Sequence, residues 1–315
     1  MRAVVTRLVW AALTFVAVAA LTFLIPRLLR PDFYPGQGVA SGVAHDLERL
    51  LLHFDLGRAW LWPGSPEISG MLARNYAADL WLLGGAMVIG VGGGVAGGLW
   101  CASRRRSVVS RVLEASAMVL YCAPVYVVGL LLLLAFNPTF GTWPIPAFFE
   151  AEPIWASPWS EPWDWFRTLL VPWLVLAAPL GAIVLRLTLA TAIETLDEDY
   201  VRTAYAKGLG ARTVIRGHAA PASYVTTASF VGVSIPLIVT NMVLVERVLS
   251  VPGFFRFTWK ALGHVEPIDR YVHARDYPML QALTLWGAVL IIVSGLVLDA
   301  VMHRLDPRIR RTASD

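Results

Sequence analysis

Gly90, Gly92, Gly93, Gly94, Gly97 and Gly98 form a dense glycine run. Such a run cradles phosphate when its backbone N–H groups converge and a Gly-Lys-Ser or Gly-Lys-Thr follows. Neither follows here, and the run sits inside an apolar stretch. Small residues four apart, Gly90 with Gly94 and Gly94 with Gly98, instead let two helices approach closely. His45, His53, His218, His264, His273 and His303 have no metal-ligand spacing. Neither a nucleophile elbow nor a carboxylate dyad is present. Cys101 and Cys122 fit neither a disulfide framework nor a zinc knuckle. No catalytic residues, metal ligands or resident cofactor are expected in this chain, and any nucleotide chemistry must belong to another one.

The chemistry on offer is that of docking. Residues 199–221, DYVRTAYAKGLGARTVIRGHAAP, are polar, basic and punctuated by glycine, and they lie between two long apolar runs. Thr195 and Glu198 have the spacing of a capping box. Asp197, Glu198 and Asp199 suit a helix N-terminus, Lys207 its last turn, and Gly208 the left-handed residue that ends it. A helix over 196–207 is predicted. A second, over 211–218, sets Val214 and Ile215 apart from Arg212 and Arg216, before Pro221 breaks the path into the next apolar run. The whole is a bent finger.

The elements that carry this finger follow from composition. Of 315 residues 57% are hydrophobic and 15% charged, more apolar than an ordinary soluble domain, so the chain is read as an integral membrane protein. A hydrocarbon core of ~30 Å needs about 20 helical residues. Six apolar runs qualify, over 8–25, 80–101, 112–136, 169–192, 225–244 and 279–302. Their apolar character is continuous rather than alternating, which selects helices over a barrel. Arg2, Arg7 and the Ala17-Val18-Ala19 triplet mimic a secretory signal, yet apolar residues continue to Ile25, so an uncleaved first span is expected. Lys and Arg are denser at the termini and in the second and fourth loops, with Arg104, Arg105 and Arg106 together in a short one. Both termini and the finger are therefore placed in the cytoplasm. The net charge of +4 is read as topological, with anionic lipid as its other partner and no nucleic acid.

Four polar residues inside the spans are candidates for a translocation path. Ser234, Asn241 and Gln281 either face such a path or make interhelical hydrogen bonds. Arg186 either snorkels, pairs with Glu114 or Asp299, or meets substrate. Pro179 and Pro236 are expected to kink their helices. In the first loop, Val43, Leu47, Leu50, Leu51 and Phe54 recur at helical spacing, predicting an amphipathic helix that lies on the membrane or receives a partner protein. In the third loop Trp143, Trp155, Trp159, Trp163 and Trp165 alternate with prolines, as an aromatic belt or an acidic docking surface would.

The finger resembles the signature of inner-membrane permease subunits of binding-protein-dependent ABC importers. Ala204, Gly208 and Pro221 match that signature's Ala, Gly and Pro at the family spacing. Arg202 and Thr203 stand at its Glu and first Ala, and His218 and Ala220 at its Ile and Leu. YVRTAYAKGLG is similar to the RTARAKGL of the dipeptide, oligopeptide and nickel branch. Four further elements resemble that branch in order: Phe54-Asp55-Leu56-Gly57-Arg58, Glu246-Arg247-Val248-Leu249-Ser250-Val251-Pro252-Gly253, Asp276-Tyr277-Pro278, and Leu305-Asp306-Pro307-Arg308-Ile309-Arg310. The usual PGDP after the first span is replaced by residues 31–36, PDFYPG.

The resemblance implies an all-α integral membrane protein with six transmembrane helices. Its fold would be a type I ABC importer permease (MetI-like) core of five helices plus a peripheral N-terminal helix. Residues 1–30 would be that helix, 31–79 an extracytoplasmic loop, 80–302 the core with the coupling loop 193–224, and 303–315 a cytoplasmic tail. The partners implied are a homologous permease subunit, two cytoplasmic ATPase subunits that bind ATP and Mg, and an extracytoplasmic solute-binding protein. Short peptides, nickel chelates or another small solute would be the cargo. Arg202, Ala204, Lys207, Gly208, Arg212, Arg216 and Pro221 would couple to the ATPase. The rival readings are a self-sufficient proton-coupled transporter using Asp299 or Glu114, and a membrane scaffold without transport.

Overall fold

The computed structural model describes residues 2–31, 38–136, 157–265, 270–271 and 275–305. Regular structure in these residues is helical, apart from one two-residue antiparallel ladder and an isolated bridge between Arg58 and Glu67. In order the helices are α1 (Arg2–Leu29), α2 (Val39–His53), α3 (Ile68–Ser103), α4 (Val108–Cys122), α5 (Val125–Phe136), α6 (Pro162–Asp197), α7 (Asp199–Ala206), α8 (Ala211–Val214), α9 (Ala220–Val248), α10 (Thr258–Ala261) and α11 (Tyr277–Leu305). A π turn, Ile215–Ala219, joins α8 to α9. The ladder pairs β1 (His264–Val265) with β2 (Arg270–Tyr271). Five helical stretches are long and apolar enough to cross a membrane, and α4 with α5 makes a sixth if the bent pair counts as one span.

That pair corrects the single span expected over 112–136. α4 and α5 meet at a bend of 105°. Pro124 explains it: proline has no N–H to donate and its ring collides with the preceding turn. It also drives the residue before it out of the helical region, and Ala123 is extended, with φ −75° and ψ 128°. Pro172 and Pro179 in α6 and Pro236 in α9, by contrast, lie within uninterrupted helices.

Contacts divide the chain into two compact units. The first comprises Met1–Asp79 with Pro252–Leu296. Its core is Ala19 and Phe23 of α1, Leu50 of α2 and Leu285 of α11, with Val43 and Leu47 packed alongside. Val43, Leu47 and Leu50 of the predicted apolar face are thus taken up by protein, whereas Leu51 and Phe54 of that face stay exposed. Arg27 of α1 is buried and pairs with Asp46 of α2 at 2.6 Å. Asp79 is fully buried, accepting the Phe254 N–H at 2.9 Å and the Trp286 indole N–H.

Two of the sequence motifs also meet in this unit. Asp276 is buried and accepts the N–H groups of Leu61 (2.9 Å) and Met279 (3.0 Å). Burial pushes its carboxyl above the usual carboxylate range, against the pull of the N–H donors. Asp55 shows the opposite shift. The Arg49 guanidinium and the Gly57 N–H hold it below that range. Gly57, at φ +84°, lies close to Pro278.

The second unit comprises Leu80–Val251 with Val297–Asp315. Here the glycine run of α3 lies against α6. A Cβ built on Gly94 would sit 2.7 Å from the Gly181 carbonyl oxygen, and one on Gly98 would sit 2.6 Å from that of Leu185. Only glycine permits this approach. α6 also packs on α9, where the Thr188 and Thr227 hydroxyls hydrogen-bond at 3.2 Å and Ser223 donates to the Thr188 carbonyl at 3.4 Å.

Candidate coupling surface

The finger lies wholly in the second unit and is built from α7, a glycine turn and α8. It starts later than the sequence pattern predicts. α6 runs to Asp197, Glu198 is extended, and α7 begins at Asp199. Thr195 caps nothing: its hydroxyl donates to the Thr191 carbonyl at 2.8 Å, inside α6. The cause is tertiary. Leu189, Ala192 and Leu196 pack against Cys101 and Ala102 of α3, and that burial carries α6 past the capping signal.

Three small apolar side chains pin the finger. Val201 and Ala204 of α7 close on Val214 of α8, with Leu196 packed beside them. Val201 and Val214 are 0% exposed and Ala204 is 7%. Between the helices, Gly208 takes φ +83°, a conformation that costs other L-residues roughly 1–2 kcal/mol. The Leu209 N–H donates to the Ala204 carbonyl at 3.3 Å and the Gly208 N–H to that of Tyr205 at 2.9 Å, completing the turn. Residues 205–213 are all exposed, so the rigid turn presents Lys207, Leu209 and Arg212 outward.

The predicted coupling residues therefore divide by role. Ala204 and Gly208 build the turn. Lys207, Arg212 and Arg216 are exposed cations with no ion pair among the described residues. Arg202 is exposed and pairs with Asp199 at 3.2 Å. Pro221 does not break the path, which corrects the expectation. It sits in the first turn of α9, where its missing N–H is tolerated. The π turn before it, closed by the Ala220 N–H on the Ile215 carbonyl, widens the backbone ahead of the ring.

Two anchors escaped sequence reasoning. Arg105 reaches Asp197 at 3.3 Å, tying the short basic loop to the root of the finger. The Tyr200 and His218 rings meet edge to face at 5.6 Å, tying α7 to the π turn. Only charge sign and proximity to the finger could have suggested the first, and nothing in spacing suggests the second.

Of the candidate pathway residues, Gln281 lies in the first unit and Ser234, Asn241 and Arg186 in the second. Gln281, in the first unit, is buried and donates to the Thr22 carbonyl of α1 at 3.4 Å. Ser234 donates within α9 to Phe230 at 3.0 Å. Asn241 lies half-buried on the same helix. Arg186 is exposed with its guanidinium 2.8 Å from the Met118 sulfur. The motif residues Leu305 to Arg310, the PDFYPG segment and most of the Trp-rich loop extend outside the described residues.

Residues 94–311 match the family described as binding-protein-dependent transport system inner membrane component. The chain belongs to this family. The matched segment of this inner-membrane component includes the glycine contact of α3 with α6 and the whole finger. Relatives extend the likeness further. A probable peptide ABC transporter permease protein of Sinorhizobium fredii is 30% identical over 252 residues, 80% of this chain and 75% of the relative. A dipeptide transport system permease protein of Bacillus subtilis is 26% identical over 320 residues, 96% of each chain. One of the same description from Haemophilus influenzae is 29% identical over 262 residues, 79% of this chain and 72% of the relative. The chain is a multi-pass inner-membrane permease component, and components of this kind work with ATPase and binding-protein partners.

Proposed function

We propose that the chain forms half of the path by which an ATP-driven importer passes short peptides across the inner membrane. A homologous permease subunit would supply the other half. Two cytoplasmic ATPase subunits would bind ATP and Mg, and an extracytoplasmic solute-binding protein would deliver cargo. The peptide assignment rests on the relatives named above. Nickel chelates are a narrower alternative within the same branch.

The observation that carries the mechanism is the pinned turn of the finger. A lever must transmit force without yielding, and the Val201–Ala204–Val214 contact with the fixed Gly208 angle makes a short, stiff one. Its exposed Lys207, Arg212 and Arg216 suit the acidic edge of a groove. Closure of the ATPase pair would push this knuckle and rock the attached α6 and α9. With both termini cytoplasmic, the finger stands on the ATPase side.

The test is Gly208→Val in the reconstituted importer. A β-branched residue resists φ +83°, so solute uptake should fall at least roughly tenfold while the partner subunits still hydrolyse ATP. Uptake that survives the substitution, or that runs on a proton gradient without ATP, would sink the proposal.

A further inference from the structure

Of the five membrane-crossing helical stretches, α6 is the most buried, with more than half of its most apolar part inside the protein. Even so, it leaves a stripe open: Arg186, Ala190 and Glu194, successive turns apart, are all exposed. A face made for lipid has a different composition, as on α5, where Leu130, Leu131 and Leu134 are exposed. The guanidinium of Arg186 has one polar contact among the described residues, the Met118 sulfur at 2.8 Å. A thioether is a weak, uncharged acceptor. An always-charged group on a membrane helix is therefore left for water or an anion to satisfy.

The lean of the side chain selects the anion. Ala117 of α4 packs on Ala182 and Leu185 of α6, and Arg105, just ahead of α4, meets Asp197 at the end of α6. The two helices are thus antiparallel, and Met118 lies level with the part of α6 that precedes Arg186. Helical side chains tilt toward the N-terminus, and Arg186 follows that tilt, away from the finger. With the finger in the cytoplasm, as proposed above, the guanidinium reaches into the span instead of snorkelling to the nearer headgroups. Lipid phosphate lies at the wrong level for it. A carboxylate carried along a wet path passes at the right one, and guanidinium holds carboxylate by paired, charge-assisted hydrogen bonds.

We propose that Arg186 binds the C-terminal carboxylate of a peptide in transit and is a specificity-determining residue of the path. This rests on the reading that the chain lines a path for short peptides.

The test uses the reconstituted importer with its binding protein. It compares uptake of trialanine with uptake of trialanine amide, each supplied at a concentration that saturates the binding protein. In the wild type the free acid should enter faster by roughly tenfold. Arg186→Gln should slow the free acid to the rate of the amide and leave the amide unchanged, and Arg186→Lys should keep most of the preference. Met118→Glu sets a carboxylate of the chain itself against the guanidinium and should also abolish the preference; it is read in the same way if the glutamine variant fails to assemble. Equal rates in the wild type, or a preference that survives Arg186→Gln, would overturn the proposal. So would an equal fall for both peptides, which is the result for a guanidinium that serves only lipid or the neighbouring subunit. Those outcomes leave peptide uptake itself in place, whereas wild-type vesicles that take up neither peptide would refute the path as well.

Discussion

Ala204 is where a single methyl group decides whether the finger closes, since it lies between Val201 and Val214 with almost no exposed surface. Replacing it by leucine should overpack that contact and destabilise the finger by roughly 1–3 kcal/mol. Limited proteolysis around residues 205–213 would read this as faster cleavage, and unchanged cleavage would refute the pinning argument. Asp276 supplies a pH signature. Its carboxyl is raised by burial, so the folded state binds a proton more readily than the unfolded one. Its neutral form therefore favours folding below the ordinary carboxylate range, and that contribution disappears as pH rises through the raised value. Asp55 acts in the opposite sense: the stability it lends with Arg49 is present above the ordinary range and fades as pH falls through the depressed value. Melting curves of Asp276→Asn and Asp55→Asn against pH should therefore differ from wild type with opposite slopes in mildly acidic solution. Parallel slopes would contradict the assignment. Ala204 and Gly208 were legible because their types suit a close contact and a left-handed turn. Asp79 was not, because one carboxylate beside an apolar run has no pattern until Phe254 and Trp286 fold onto it.

Helix existence was legible for a simple reason: a continuous apolar run has no other stable form in lipid. Helix ends were less so. α3 begins at Ile68, ahead of its apolar run, because residues 68–79 contain polar side chains yet no proline to stop the helix. The finger's boundary moved because Leu196, half-buried, packs against the cluster that α6 forms with α3. Proline gave opposite outcomes at Pro124, where the helix breaks, and at Pro179, where it continues. The α3–α6 contact yields a prediction at this scale. Gly94→Val would press a side chain into the backbone oxygen of Gly181, forcing the helices apart at a cost of roughly 1–3 kcal/mol or more. Gly92→Ala, where a Cβ meets nothing within 4 Å, should be neutral. Thermal unfolding of the two purified variants distinguishes them, and equal melting temperatures would reject the close-packing account.

For the whole molecule, composition alone points to a membrane, and the basic loops predict a direction across it. That direction is checked by cysteine labelling in sealed vesicles, on a background with Cys101 and Cys122 replaced. Leu209→Cys, on the exposed turn, should react with an impermeant maleimide only from the cytoplasmic side, and Trp60→Cys, in the first loop, only from the other. The reverse pattern would invert the topology and leave the finger without an ATPase to meet. The arrangement of α4 and α5 could not be read at this level, since the apolar end of α4 and the wholly apolar α5 run on as one stretch in the sequence.

That arrangement has a consequence for what the bilayer must tolerate. α4 has 15 residues and α5 has 12, which at ~1.5 Å per residue gives about 22 and 18 Å. Neither alone matches ~30 Å of hydrocarbon. Taken as one crossing, the pair leaves carbonyls near Ala123 without helical donors midway through the membrane, where lipid offers them nothing. In such a crossing a polar side chain or water has to replace the donor that Pro124, lacking an N–H, cannot supply to the turn before it.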